Sequence, residues 1–316
     1  MRTFRKLFLA SAAATLALVA PSYAFDGVVA SIKPVHSLVS AVMDGVGEPT
    51  LIVRSTGSEH AYSLRPSDAR AIEQATVIFW VGPGMETFLN NSIDTLGGNA
   101  TVVAMEDTPG LEKLAYREGG PFEAHSHGDD DHDHGHDHDH AHGEYDLHFW
   151  LDPLNAKAML SEIERTLSAA DPDNAERYRE NAAAYAGQLD ALVAEIEAQI
   201  ARVKDRPSIV FHDAYQYFEQ RFGINVAGSI TVSPEVLPGA QRVADIKAKV
   251  QELGAACVFS EPQFEPRLVS VVTEGTTART GVLDPLGADI EDGPDLYPQL
   301  MRNMATSFAT CLADPS

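Results

Sequence analysis

Four histidines outside a repetitive segment are the residues best suited to chemistry in this chain. The chain has 12 histidines, and eight of them lie between positions 125 and 142. The other four are His36, His60, His148 and His212. Neutral imidazole is the commonest protein ligand of transition metals, so several histidines that converge would bind a divalent cation. His36 begins the first predicted helix, where it can hydrogen-bond locally, and we assign it no ligand role.

Three of these histidines have similar surroundings. His60 follows the second predicted strand, His148 precedes a predicted helix, and His212 ends the strand Ser-Ile-Val-Phe-His. In open α/β sheets, ligands bind beyond the carboxyl ends of the strands. We therefore predict that the three side chains meet in one cleft and hold a metal.

Carboxylates near the same strand ends could complete the site. Glu59 adjoins His60, and Asp284 closes the string Gly-Val-Leu-Asp. Three imidazoles and one oxygen suit Zn²⁺, whereas Mn²⁺ prefers more oxygen ligands and Cu²⁺ or Ni²⁺ also accept imidazole. Glu59, Asp284 and water all remain open as the fourth ligand. Asp213 and Asp152 are candidate hydrogen-bond partners of the ligand N–H groups.

The elements that must position these residues follow the pattern of an α/β protein. Short apolar runs predict strands at 28–32, 51–53, 77–81, 208–212, 225–230, 256–261 and 281–284. Helical patterns separate most of them, which is typical of parallel sheets built from βαβ units. Apolar residues at steps of three and four between Tyr178 and Val203 predict one amphipathic helix of about 31 residues.

We therefore expect two lobes of parallel sheet flanked by helices and joined by that long helix. The predicted boundaries are an N-terminal lobe at 25–170, a linker helix at 171–206 and a C-terminal lobe at 207–316. Residues 1–24 have a basic head, a short apolar run and a small-residue cleavage site, as in a cleaved export signal.

The net charge limits the possible partners. The formal charge is −23, which disfavours binding to nucleic-acid phosphates and to anionic lipid. Neither cysteine lies near the predicted cleavage site, so we expect no lipid anchor.

The repetitive segment at 124–143 alternates histidine with aspartate. This composition cannot build a core, and it predicts a disordered loop. We expect the loop to bind zinc weakly, because ordering a flexible chain opposes each coordination step. It would then collect zinc near the cleft or sense zinc abundance, and the alternative is a solvated acidic tract with no role in transport. The histidines assigned to this weak binding are His132, His134, His136, His138 and His140.

Several strings together resemble the ZnuA type of periplasmic zinc-binding component of bacterial ABC zinc importers. They are Gly-Ser-Glu-His-Ala-Tyr at 57–62, Asp-Leu-His-Phe-Trp-Leu-Asp-Pro at 146–153, His-Asp-Ala-Tyr at 212–215, Ser-Glu-Pro-Gln-Phe at 260–264 and Leu-Asp-Pro-Leu-Gly at 283–287. The resemblance implies two α/β lobes joined by a long helix, and zinc held between them by His60, His148 and His212. Cys257 and Cys311, whose spacing does not suit a redox Cys-x-x-Cys pair, are expected to form a disulfide, which is also a feature of this zinc branch.

The resemblance also implies a function that is not enzymatic. We expect a monomeric periplasmic receptor that delivers Zn²⁺ to an ABC permease in the inner membrane. One alternative is a zinc buffer or chaperone without a transporter. Another is a zinc hydrolase in which Glu59 acts as the base.

Overall fold

The computed structural model describes most of the chain. The described residues are 25–54, 57–117, 122, 145–231, 238–254, 256–264 and 267–313. The predicted signal peptide at 1–24 and the His/Asp-rich segment at 124–143 lie outside the described residues.

The N-terminal lobe is built on a four-stranded parallel sheet in the order β2-β1-β3-β4. Its strands are β1 (Val28–Ala30), β2 (Thr50–Leu51), β3 (Val77–Trp80) and β4 (Thr101–Ala104). Its helices are α1 (Lys33–Val42), α2 (Pro66–Glu73), α3 (Thr87–Leu96) and α4 (Pro153–Ala170). The central strands β1 and β3 are buried along their whole length, as their continuous apolar runs predict. Sequence analysis missed β4, a short edge strand that is partly exposed.

The C-terminal lobe repeats this topology. Its strands are β5 (Ser208–His212), β6 (Val226–Thr231), β7 (Cys257–Ser260) and β8 (Arg279–Val282). They form a parallel sheet in the order β6-β5-β7-β8, which is again the second, first, third and fourth strand of the lobe. Its helices are α6 (Gln216–Phe222), α7 (Ala240–Leu253), α8 (Arg267–Thr273) and α9 (Leu296–Leu312). The predicted fold class is therefore confirmed.

The long helix α5 (Ala175–Ile200) contains 26 residues, or about 39 Å. It is shorter than the sequence pattern predicts, because the chain from Pro172 to Asn174 forms a 3-10 turn and the regular helix ends at Ile200. Its apolar face is buried as predicted. Helix α5 packs against α1 and α4 of the N-terminal lobe and against α6 and α9 of the C-terminal lobe, so it contacts both lobes.

The two lobes share a continuous core. One cluster of buried apolar side chains runs from Val28 in β1 through α5 to Leu312 in α9. Polar contacts also cross the boundary: Trp150 Nε1 donates to the carbonyl of Pro285 (2.9 Å), and Lys33 Nζ donates to the carbonyl of Ile290 (2.7 Å). Side chains that lie at the boundary between the lobes are therefore held in place by dense packing.

The disulfide between Cys257 and Cys311 is present. It joins the first residue of β7 to α9, which confirms the predicted pairing. None of the described helices combines the length and the apolar composition that a bilayer crossing requires.

Candidate metal centre

Three histidines and one glutamate meet between the lobes. Glu59, His60, His148 and His212 each place a ligand atom within 4.8 Å of the others. The ring centroids of the three imidazoles lie 5.2 to 5.6 Å apart. Among the described residues, this is the one group of three or more potential metal-binding side chains so closely spaced.

Glu59 and His60 come from the segment between β2 and α2. The His60 backbone N–H donates to Ser58 Oγ (3.1 Å), which fixes the turn locally. The Glu59 side chain is 1 % exposed and that of His60 is 25 % exposed. The Nε2 atom of His60 is buried and has no hydrogen-bond partner among the described residues. A buried lone pair of this kind is stabilised when a ligand occupies the space in front of it.

His148 lies at the entrance to α4. A 3-10 turn at Phe149–Leu151 follows it, and α4 then begins at Pro153 with Asp152 as its N-cap. Proline at the first helical position and an aspartate cap are strong start signals, so the position of His148 is fixed by the helix start. The Trp150 ring lies 5.2 Å from the imidazole, centroid to centroid, and limits its movement.

His212 is the last residue of β5 and is completely enclosed, with 1 % of its surface exposed. Strand β5 pairs in parallel with β7, and Ile209 is the partner of Val258. The same register continued by three residues places His212 beside Glu261.

Two buried carboxylates bind the imidazoles on the side away from the group. Asp146 Oδ1 lies 2.8 Å from His148 Nδ1, and the Glu261 oxygens lie 2.7 and 2.8 Å from His212 Nδ1. Sequence analysis named Asp213 and Asp152 for this role, and that prediction is wrong.

The reason lies in the partners of those two aspartates. Asp213 binds the guanidinium of Arg117 (Nε to Oδ2, 3.2 Å). Asp152 accepts the backbone N–H of Leu154 (2.9 Å) and binds Arg221 (Nη2 to Oδ2, 2.7 Å). Both carboxylates are thus engaged by arginines and a helix start.

Asp284 lies outside the four-residue group. Its carboxylate accepts the backbone N–H groups of Leu286, Gly287 and Ala288, at 2.6 to 3.0 Å, and the amide of Gln263 at 2.9 Å. These bonds fix the turn after β8. Of the predicted alternatives for the fourth ligand, the structure places Glu59 with the histidines.

His36 is likewise outside the group. Its Nε2 bonds the carbonyl of Pro49 (3.0 Å), a local structural contact. The predicted weak zinc ligands His132, His134, His136, His138 and His140 lie outside the described residues.

The electrostatics favour neutral imidazoles at the site. Burial, and next the neighbouring histidines, lower the pKa of His60 well below 6.5. Burial, and next His212, do the same to the pKa of His148. Both side chains therefore offer lone pairs to a cation near neutral pH. The Glu59 carboxyl group lies at the same point, with Oε1 3.9 Å from His60 Nε2 and 3.8 Å from His148 Nε2.

Known proteins with similar sequences are components of zinc uptake systems. The profile of the family described as "Zinc-uptake complex component A periplasmic" matches residues 28–311. The high-affinity zinc uptake system protein ZnuA of Brucella suis is 60 % identical over 333 aligned positions, covering 99 % of this chain and 100 % of that protein. The protein of the same name from Yersinia pestis is 36 % identical, covering 95 % of this chain and 96 % of its own.

Solved structures show the same fold. A crystal structure of ZnuA superposes with a TM-score of 0.73 at 21 % identity, covering 90 % of this chain and 98 % of its own. A Mn-bound periplasmic metal-binding protein from Candidatus Liberibacter asiaticus superposes with a TM-score of 0.71 at 20 % identity, covering 90 % of this chain and 99 % of its own. From the family profile and the sequence relatives together, the chain belongs to the ZnuA family of periplasmic zinc-uptake components.

Proposed function

We propose that this chain is a periplasmic receptor that binds one Zn²⁺ tightly through His60, His148, His212 and Glu59 and delivers it to an ABC permease. The observation that carries the proposal is the convergence of four ligand atoms within 4.8 Å at the boundary between the lobes. The cation is the cargo, so its binding must be tight and its release must depend on a partner.

The donor set suits zinc. Three neutral imidazole nitrogens and one carboxylate oxygen make a four-coordinate set of the type that zinc prefers. Manganese prefers sites richer in carboxylate and water oxygens. The buried carboxylate of Glu59, which burial would otherwise disfavour in its charged form, is stabilised when a cation binds beside it.

The position of Glu59 disfavours a zinc hydrolase. A catalytic zinc needs an open position for water and a base that stands beside that water. Here the Glu59 carboxylate itself lies within the ligand group, where it takes the open position. We therefore propose binding rather than hydrolysis.

Metal analysis of the protein purified without added metal tests the binding step. We expect about one tightly retained zinc in the wild type and a loss of most of it in His60→Ala, His148→Ala and His212→Ala. His36→Ala is the matched control, because His36 is also a buried histidine but bonds a backbone carbonyl outside the group. Equal zinc retention in the control and in the three site variants would contradict the proposed site.

Growth under zinc chelation tests delivery. A strain that lacks this protein should starve for zinc, the wild-type gene should restore growth, and the His148→Ala gene should not. Normal growth of the deletion strain would instead support a zinc buffer without a transporter partner.

A further inference from the structure

Two of the three site histidines are held in the same way. In each, a buried carboxylate bonds Nδ1 and also accepts the backbone N–H of the same histidine. For His148 this carboxylate is Asp146, at 2.8 and 3.0 Å. For His212 it is Glu261, at 2.7 and 3.3 Å. These two hydrogen bonds together fix the orientation of the imidazole ring relative to the backbone of its own residue.

This arrangement selects the tautomer. A carboxylate accepts hydrogen bonds, so the neutral imidazole that faces it carries its proton on Nδ1 and leaves the lone pair on Nε2. The two Nε2 atoms lie 3.4 Å apart and face each other. Two lone pairs at that distance repel, and a cation between them removes the repulsion.

The carboxylates are themselves fixed by the backbone. The backbone N–H of Asp146 donates to the carbonyl of Leu114 (2.8 Å), and its carbonyl accepts the hydroxyl of Tyr217 (2.6 Å). Glu261 directly follows β7 and is placed by the pairing of β7 with β5. The exposed fractions of Asp146 and Glu261 are 1 % and 3 %.

His60 differs from the other two histidines. Glu59 Oε1 lies 3.9 Å from its Nε2, on the side that faces the other three ligand residues. Among the described residues, no carboxylate binds this ring from behind as Asp146 and Glu261 bind the others. The two lobes thus supply one preorganised pair of nitrogen ligands, and the segment after β2 supplies a third ligand held less firmly.

We propose that Asp146 and Glu261 are positioning residues that lock His148 and His212 as a matched pair of Nε2 donors before zinc arrives. This inference rests on the proposed zinc-binding function. Outer carboxylates of this kind change metal affinity by about 10- to 100-fold in other metal sites. We expect a loss of that size from Asp146→Asn and, independently, from Glu261→Gln, since the amide fits the same space but can also donate to Nδ1 and so allow the wrong tautomer.

Glu86→Gln is the matched control. Glu86 is fully buried in the N-terminal lobe and lies outside the four-residue group of Glu59, His60, His148 and His212. Burial raises its pKa to about 8, so the amide replaces a carboxyl group that is already mostly neutral near pH 7. Zinc affinity should be unchanged in this variant.

The experiment uses the full-length mature protein and has two readouts. Zinc affinity is measured by competition with a chelator, and the histidine tautomers of the metal-free protein are read from nitrogen-15 chemical shifts, assigned with His148→Ala and His212→Ala. We expect Glu261→Gln to disturb the tautomer of His212 alone and Asp146→Asn that of His148 alone, each with the stated loss of affinity. Wild-type affinity within twofold, or unchanged tautomers, in both variants would overturn the inference.

The two proposals fail differently. If the wild type binds no zinc tightly, the proposed function fails, while the tautomers of the metal-free protein still report whether the carboxylates orient the rings. If the wild type binds zinc tightly and both variants match it, only the positioning role fails.

Discussion

Replacing Arg117 with methionine should destabilise the protein more than the loss of an exposed ion pair would. The guanidinium of Arg117 lies at the boundary of the lobes and binds two carboxylates of the C-terminal lobe. It contacts Glu219 at 2.6 and 3.0 Å and Asp213 Oδ2 at 3.2 Å, with a further close contact from Nη2 to Asp213 Oδ1. The side chains of Asp213 and Glu219 are 7 % and 9 % exposed.

The magnitude follows from this burial. Removing one partner of a buried ion pair leaves the other charge without compensation and costs about 3 to 5 kcal/mol of unfolding free energy. Arg302 offers a matched control, since it binds Glu195 through a similar pair of contacts but is 41 % exposed, with Glu195 48 % exposed. Arg302→Met should cost no more than about 1 kcal/mol.

The cost should also depend on pH in a defined direction. Burial raises the pKa of Glu219 to about 7, and the charge of Arg117 opposes that rise. Without Arg117 the pKa rises further, so the folded variant binds a proton that the unfolded chain, with a pKa near 4.5, does not. Stability then falls as the pH rises through this interval. The difference between variant and wild type should therefore be larger at pH 8 than at pH 6.

Urea unfolding of the metal-free proteins, followed by circular dichroism, measures these differences. Adding Glu219→Gln to Arg117→Met should recover part of the loss at pH 8, because a neutral amide replaces a buried carboxyl group that has lost its cationic partner. Equal and small costs for Arg117→Met and Arg302→Met would show that burial does not strengthen the Arg117 ion pairs, and a cost that grows when the pH is lowered would contradict the role of Glu219.

Three other predictions concern pH, the disulfide and the histidine-rich segment. The pKa values of His60 and His148 in the folded protein lie well below 6.5, so the metal-free protein should lose stability as the pH falls from about 6.5. Zinc affinity should persist to lower pH. A chelator titration that shows affinity lost already between pH 7 and 6.5 would contradict this. The double substitution Cys257→Ala and Cys311→Ala removes the disulfide, whose cysteines lie 54 positions apart, and should cost about 4 kcal/mol of unfolding free energy. Zinc affinity should be retained, since Cys257 begins β7 and the four ligand residues lie beyond the other end of that strand. A large loss of affinity would contradict that separation. Deleting residues 124–143 should lower the number of zinc ions bound at high zinc concentration and leave the tight site intact. Equilibrium dialysis measures both quantities. Loss of tight binding would contradict the division into two kinds of site.

The fold was accessible from the sequence where patterns are long or buried. Strand β5 matches its predicted range of 208–212 because its five residues are all buried and three apolar residues stand between a serine and the final histidine. Since parallel strands present their carboxyl ends at one edge, the position of His212 could be argued without coordinates, whereas His148 precedes a helix and His60 lies nine residues after β2. The edge strand β4 was missed because its residues are exposed or only partly buried.

The hydrogen-bond partners of the histidines were harder to predict from the sequence. Predicting that Glu261 binds His212 requires the register between β5 and β7, which the order of strands in the chain does not provide. Asp146 could have been found from sequence, since it lies two residues before His148 and its side chain reaches that backbone N–H. Asp284 was a reasonable ligand candidate at a strand end, but its carboxylate binds the turn that follows it instead. Sequence places polar residues near a cleft, whereas tertiary hydrogen bonds decide which of them face the metal.

X-ray absorption at the zinc edge, on full-length mature protein loaded with less than one equivalent of zinc, tests the central claim most directly. We expect three imidazole nitrogens and one oxygen at about 2.0 to 2.2 Å, with the imidazole signal reduced to two rings in His60→Ala. A spectrum with fewer than three imidazoles in the wild type, or one that His60→Ala leaves unchanged, would contradict it.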